Sequence, residues 1–524
     1  MGGQGRERQA GDQEGGMRLT KERLAKEADV CLILEGAYPF VAGGVSSWTH
    51  DLIKAHADLS FHLVALSADQ APKTLRFDLP PNVIQMTEIG LQQPGSRLAG
   101  GWEVERMIAE ISGPLAQLFA SGGLQDFRGV LGALRRHPRA ATRAALMNSE
   151  PAFEMLRRMY EASVPGSSFL NYFWSWRSLA GGLFSLLLAR LPRARVYHAI
   201  STGYAGLLMA RAVLETGRPG LLTEHGIYTN ERRVEIAMAD WLADKIPGSL
   251  AIEARRRDLR DVWIEAFIGY SQVCYGACDR ITTLYTGNQV LQLRDGARPE
   301  RLSIIPNGID YESLSVIPRD ATPRPPTVAL IGRAVPIKDV KTYIRAAAIL
   351  RGMVPGVRVL LLGPTEEDPV YFRECEEMVA HLGLQETFEF TGRVKLHDYL
   401  GRLDVVVLTS ISEAQPLVLL EAGAAGIPSV ATDVGSCRDI IEGRADEDPP
   451  LGPGGFVTPL ADPVATAQGL ADLLLDPALR ARCGEAIRRR TERYYNKKVV
   501  DRIYRELYEV HLALPDRPAE MVVA

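Results

Sequence analysis

The chain has 524 residues, 46% of them apolar and 24% charged, with a formal net charge of −4. That balance fits packed domains rather than a disordered chain, about two to four of them at roughly 100–200 residues each. It also removes any global electrostatic reason to bind nucleic acid. The six cysteines, Cys31, Cys274, Cys278, Cys375, Cys437 and Cys483, are too sparse for a disulfide scaffold and suit a reducing compartment. Cys274 and Cys278 stand one helical turn apart, but no second Cys or His pair completes a zinc site, so no metal is expected.

In chain order, residues 1–27 are polar and lack the apolar core of a signal peptide, and Arg6 breaks a myristoylation pattern, so a flexible tail is expected there. Asp29–Leu34 reads as a buried strand, followed by the loop Glu35–Gly44, an amphipathic helix over Val45–Ala55 and a second strand at Phe61–Ser67. Residues 91–195 are predicted to be mostly helical, an insertion whose aromatic residues Trp174 and Trp176 are both expected in the core. Its most apolar stretch, Leu179–Leu191, contains Arg190 and falls short of the ~20 apolar residues a membrane span needs. Strands at Val196–Ala199, Leu221–Glu224 and Arg280–Thr283 complete an N-terminal α/β domain, 28–316. Four prolines in Ile317–Pro326 make that stretch a stiff linker, 317–326.

A second α/β domain, 327–485, is predicted from strands at Val328–Ile331, Val357–Leu362, Thr387–Phe390, Val405–Thr409 and Ser429–Thr432. Helices at Val340–Leu350, Tyr371–Leu382, His397–Leu403 and Leu417–Ala425 alternate with them. The helical pattern Ala465–Leu514 is broken at Pro477, leaving residues 486–524 as C-terminal helices able to pack back on the N-terminal domain. Ligands in such folds sit at the carboxyl ends of the parallel strands. If those edges of the two domains faced one another, they would form one cleft.

Several segments carry candidate chemistry. In Ser410–Gly426, Glu413 and Glu421 flank a strand–turn–helix junction, and Pro416 suits a first helical turn whose free N–H groups at Leu417 and Val418 suit an anion. The same residues also read as an ordinary cap with a solvated glutamate. Arg333 and Lys338, in the turn Gly332–Asp339, supply two cations that could neutralise a diphosphate without a metal, or simply face solvent. Gly43 and Gly44 permit close backbone approach to a phosphate or sugar, though paired glycines also make plain tight turns. His225 ends a strand, where it suits a sugar or a developing charge, and His198 is a weaker candidate. Pro306–Asp310 reads as a hinge turn. There is no G-x-G-x-x-G, Walker A, H-E-x-x-H or G-x-S-x-G, and the D-x-D at Asp446–Asp448 reads as a solvated loop.

Taken together, these segments resemble the retaining nucleotide-sugar glycosyltransferases of family 4. The matching residues are Gly43-Gly44, His225, Asn307-Gly308-Ile309-Asp310, Gly332-Arg333 with Lys338, Gly392-Arg393-Val394, and Glu413 with Glu421, in the family's order across residues 29–440 apart from the insertion. LEGAYPFVAGGVSSW, TEHGIYTNERR and TGNQVLQLRDGA look like the PelF-type enzymes of Pel exopolysaccharide biosynthesis. The resemblance implies the GT-B fold, two Rossmann-like domains facing across a cleft, with a helical insertion in the first.

It implies that Arg333 and Lys338 hold the donor diphosphate, Glu421 the ribose and Glu413 the donor sugar. Val394, next to Arg393, would meet the base through its backbone, while His225 and Gly44 would approach the sugar from the other domain. The pattern departs at Ala414 and Gln415, where the family often has glycine and an aromatic. The implied activity is metal-independent transfer of a hexose from a UDP-sugar, of UDP-glucose or UDP-N-acetylhexosamine type, to a growing polysaccharide acceptor. It needs no cofactor and no nucleic acid. The implied setting is cytoplasmic, peripheral to an inner-membrane Pel-type synthase complex. The rival readings are a nucleotide-sugar epimerase of the same fold and a non-catalytic nucleotide-sensing subunit.

Overall fold

The computed structural model describes residues 27–36, 38–68, 73–92, 100–237, 257–320 and 322–519. Two parallel sheets carry the fold. The first contains β1 (Ala28–Glu35), β2 (Phe61–Ser67), β3 (Val83–Gly90), β4 (Ala194–Ala199), β5 (Gly220–Glu224), β6 (Arg280–Thr283) and β7 (Leu302–Ile304), in the order β3-β2-β1-β4-β5-β6-β7. The second contains β8 (Thr327–Ile331), β9 (Arg358–Leu362), β10 (Phe388–Gly392), β11 (Val405–Leu408), β12 (Ser429–Thr432) and β13 (Gly455–Thr458), in the order β10-β9-β8-β11-β12-β13.

The central strands are continuous apolar runs because helices cover both faces of each sheet, as parallel sheets require. Val30–Leu34 and Val405–Leu408 are buried throughout. The strand order reverses between β1 and β4 in one sheet and between β8 and β11 in the other. Each reversal opens a crevice at the strands' carboxyl ends, where the neighbouring connections leave toward opposite faces.

Three strands depart from the sequence reading. β3, β7 and β13 are sheet edges and pair on one side only. β3 mixes polar and apolar residues, β7 has three residues, and β13 holds only Phe456 and Val457 between Gly455 and Thr458, so none is the apolar run by which buried strands are recognised. Between β3 and β4 lie the helices Trp102–Phe119, Leu124–Arg136, Arg143–Asn148, Glu150–Ser163 and Phe169–Leu188. On the last of these Trp176 is buried at 2% exposure, but Trp174 is 58% exposed. Two positions apart on a helix point to opposite sides, so both could not enter one core.

The C-terminal division also differs. The helix Pro477–Tyr494 runs unbroken through residues 485 and 486, and its Ile487 and Tyr494 pack with the second domain. The chain crosses back only at Tyr495–Asn496, where Asn496 caps the helix Lys497–Leu512 by accepting from Lys498 N at 3.0 Å. That helix lays Val500, Tyr504 and Tyr508 against Val30, Leu32, Phe61, Leu63 and Val196 of the first sheet. At the crossing, Ile309 N donates to Tyr495 O and Lys497 N donates to Ile309 O, both at 2.9 Å. Gly308 permits this approach, since a Cβ there would lie 2.6 Å from Lys497 Cα. Among the described residues no helix is long and apolar enough to cross a membrane.

Candidate active site

A cavity of about 710 Å³ lies where the carboxyl edges of the two sheets meet. The first domain contributes Glu35 at the end of β1, Gly44 and Trp48 on the helix Gly44–Ala55, Ser201 after β4, His225 after β5 and Asn307 after β7. The second contributes Glu413, Gln415 and Leu417 after β11, and the C-terminal helix adds Lys497, Asp501 and Tyr504.

His225 presents two buried ring nitrogens, neither with a partner among the described residues, and its ring stands edge-on to Trp48 with centroids 4.5 Å apart. Burial pulls its pKa down to about 4, so near neutral pH it is an uncharged imidazole able to donate from one nitrogen and accept at the other. The preceding Glu224 faces the interior. It accepts from Tyr275 Oη and Gln292 Nε2, both at 2.8 Å, and burial pushes its pKa up to about 7. Glu35 accepts from Tyr204 N at 2.9 Å and Tyr228 Oη at 3.0 Å, and burial raises its pKa too.

On the opposite wall, Lys338 Nζ donates to Glu413 Oε1 at 2.6 Å, and the two side chains are only 17% and 16% exposed. Thr409 Oγ1 bonds the carbonyls of Lys338 and Asp339 at 3.0 Å each, tying the loop after β8 to the loop after β11. Gly435 braces the Glu413 loop from behind. Its φ is +55°, and a Cβ there would stand 2.2 Å from Glu413 O and 2.4 Å from Ala414 O.

The structure thus places Gly44, His225, Glu413 and Leu417 on one cavity wall or the other, with Lys338 joined through Glu413. Gly43 stands outside the lining, because it precedes the helix and accepts from Ser47 N at 2.9 Å. Pro416 caps the helix Leu417–Ala424 rather than opening its first turn. Arg333 is half exposed and paired with Glu367, and Arg393 is exposed and paired with Glu366 at 3.3 Å. Val394 and Val418 are partly buried against the second domain's core. The Glu421 carboxyl has no hydrogen-bond partner among the described residues, and burial raises its pKa. Arg333, Arg393, Val394, Val418 and Glu421 are outside the cavity lining.

His198 is structural: it is buried between Tyr508 Oη at 2.8 Å and Thr223 Oγ1 at 2.9 Å. Asp446 pairs with Arg444 at 2.8 Å in an exposed loop. Cys274 and Cys278 are buried with sulfurs 3.8 Å apart, and the described residues hold no cluster suited to a metal. The sequence reading missed Trp48, Asp501 and Tyr504 as cavity residues. Aromatic and acidic positions on amphipathic helices carry no local mark of the cavity they face.

The architecture is that of the GT-B class, two Rossmann-like domains meeting at a cleft. Residues 28–300 match the family model described as a domain of unknown function, DUF3492, and the chain belongs to that family. Residues 318–490 match the model for glycosyl transferases group 1. The D-inositol 3-phosphate glycosyltransferase of Streptomyces avermitilis is 32% identical over 170 residues, which are 31% of this chain and 35% of that protein. The MMP alpha-(1->4)-mannosyltransferase of Mycolicibacterium hassiacum is 26% identical over 343 residues, 63% of this chain and 75% of that protein. The chain spans 35% to 58% of the length of the D-inositol 3-phosphate glycosyltransferases it matches. Among solved structures, Anabaena HepE in complex with UDP and glucose superposes with a TM-score of 0.52 at 14% identity, covering 92% of this chain and 100% of that one. Sucrose-phosphate synthase from Thermosynechococcus elongatus gives a TM-score of 0.52 at 17% identity, covering 92% and 99%. These two likenesses establish the fold.

Proposed function

We propose that the chain is a retaining glycosyltransferase that moves a hexose from a UDP-sugar to a growing exopolysaccharide of the Pel type. One observation carries the reading: His225, with two unpartnered nitrogens, and Glu413, held by Lys338, line the same cavity from different domains. The group 1 match over 318–490 supports the transferase class. The motif run supports the Pel assignment, a cytoplasmic site of action and attachment to inner-membrane synthase partners.

In this reading Arg333 and Lys338 neutralise the diphosphate, Glu421 holds the ribose, Val394 meets the base, and Glu413 binds the sugar. Lys338 gives one N–H to Glu413 and retains two for phosphate oxygen. The bond from the sugar C1 to phosphate oxygen breaks, and its electron pair leaves on the phosphate. The acceptor hydroxyl oxygen bonds C1 on the same face, and its proton passes to the departing phosphate oxygen. Neutral His225 contributes hydrogen bonds rather than charge at that stage. The fixed cations carry the stabilisation of the leaving group, so no metal is required.

Calorimetric titration with UDP tests the site. Charge-assisted bonds contribute about 1.5–3 kcal/mol each, so Arg333→Ala and Lys338→Ala are expected to weaken UDP about tenfold or more. Parent-like affinity in both variants refutes the assignment. Radiolabelled UDP-sugars then test turnover, with acceptor-dependent transfer expected and an isomerised sugar nucleotide counting against it.

A further inference from the structure

The seam between the two domains carries a pair of side-chain amides, each with one polar atom that neither the fold nor the proposed donor contacts use. Gln415, in the loop after β11, is 8% exposed, and its Oε1 accepts from the backbone N of Asn307 at 2.7 Å. A backbone N–H can only donate, so the amide oxygen must face Asn307 and the orientation of the side chain is fixed. Its Nε2 has no partner among the described residues. Neither does Asn307 Oδ1. Both residues line the cavity that also receives His225. Buried polar atoms are almost always paired in folded proteins, so unpaired ones gathered on one cavity mark where a polar ligand completes the site.

We propose that Gln415 and Asn307 form a clamp that reads one hydroxyl of the transferred sugar across the domain seam. Gln415 Nε2 is a donor only and Asn307 Oδ1 an acceptor only. A hydroxyl can accept from the one and donate to the other at the same time. A phosphate oxygen accepts only and would leave Asn307 Oδ1 facing negative charge, so the clamp selects the sugar and not the diphosphate. The following residue, Pro416, has no N–H, so the Gln415 amide supplies a donor where the loop's own backbone offers none. Because the two halves belong to different domains, the clamp is complete only when the seam is closed, which couples sugar recognition to domain position.

The clamp rests on the donor reading above, and the test separates the two. Gln415→Glu keeps the oxygen that Asn307 N holds and replaces the donor with an acceptor. Asn307→Ala keeps the backbone N–H and removes the acceptor. Thermal unfolding of each variant with and without UDP confirms a folded, nucleotide-competent protein. UDP and UDP-glucose are titrated calorimetrically into parent and variants, with UDP-N-acetylglucosamine as a parallel series. Both variants are expected to bind UDP as the parent does and to lose about tenfold or more for the sugar nucleotide, because a site built around a hydroxyl rejects a mismatch strongly. A UDP-deoxyglucose lacking the clamped hydroxyl is expected to bind parent and variants alike. An unchanged ratio of UDP-glucose to UDP affinity in both variants overturns the clamp, as do equal losses for the two ligands. Failure of UDP to bind the parent overturns the donor reading and the clamp with it.

Discussion

Burial decides the protonation of the groups around the cavity. Glu224 is 1% exposed, and burial favours its acid form, raising the pKa from 4.5 to about 7 against the opposing pull of the hydrogen bonds from Gln292 and Tyr275. A carboxyl raised on folding adds stability that is complete below its unfolded pKa of 4.5 and is lost as pH rises through the folded value of about 7. The full loss is on the order of 3 kcal/mol at about 1.4 kcal/mol per pH unit. Glu224→Gln keeps an oxygen for Tyr275 and Gln292 and does not ionise. Its melting temperature is therefore expected to gain on the parent steadily between pH 4.5 and 7 and then run parallel to it. Thermal unfolding from pH 4 to 8 checks this, and a pH-independent difference refutes it.

At the scale of elements, the candidate site is a meeting of loops, and each loop is held by a neighbouring one. Gly435 is one such support. Adding a methyl group there forces it into Glu413 O and Ala414 O and strains a left-handed backbone by about 1–2 kcal/mol. Gly435→Ala is expected to shift the Glu413 loop and weaken UDP-glucose about tenfold, with a smaller effect on UDP, in the same calorimetric titration. Part of this site is legible in the sequence. Glu413, Lys338 and His225 follow strand ends and Gly44 opens the first helix, where periodicity and glycine or proline punctuation mark the turns. Gln415 is legible only as a departure from the family pattern. Its role depends on Asn307, which is 108 positions away. No local rule pairs the two.

For the molecule as a whole, the C-terminal helix is the decisive piece. It follows the second domain in sequence and belongs to the first in space, supplying both a cavity wall and part of the core beneath the first sheet. Tyr508 is fully buried in that core and donates to or accepts from His198 at 2.8 Å. Tyr508→Ala is expected to cost about 3–5 kcal/mol, as other buried aromatic truncations do. Urea unfolding followed by tryptophan fluorescence reads the change, because Trp48 packs on the same helix through Tyr504 with centroids 5.4 Å apart. The neighbouring Glu509→Ala lies on the exposed face and is expected to stay within about 0.5 kcal/mol.

The amino-acid sequence by itself determined the two α/β units, their central strands and some of the strand-end residues that face the cavity, His225, Glu413 and Leu417 among them. Those features depend on local patterns, such as buried apolar runs, helical spacing and turn residues, that act within about ten positions. Tertiary structure alone decided which edge strands complete each sheet, where the last helix crosses back and which orphan amides meet at the seam. Each of these depends on contacts between residues far apart in the chain. The return of the last helix is the clearest case, because Asn496 marks where a helix starts but not which domain the helix will cover.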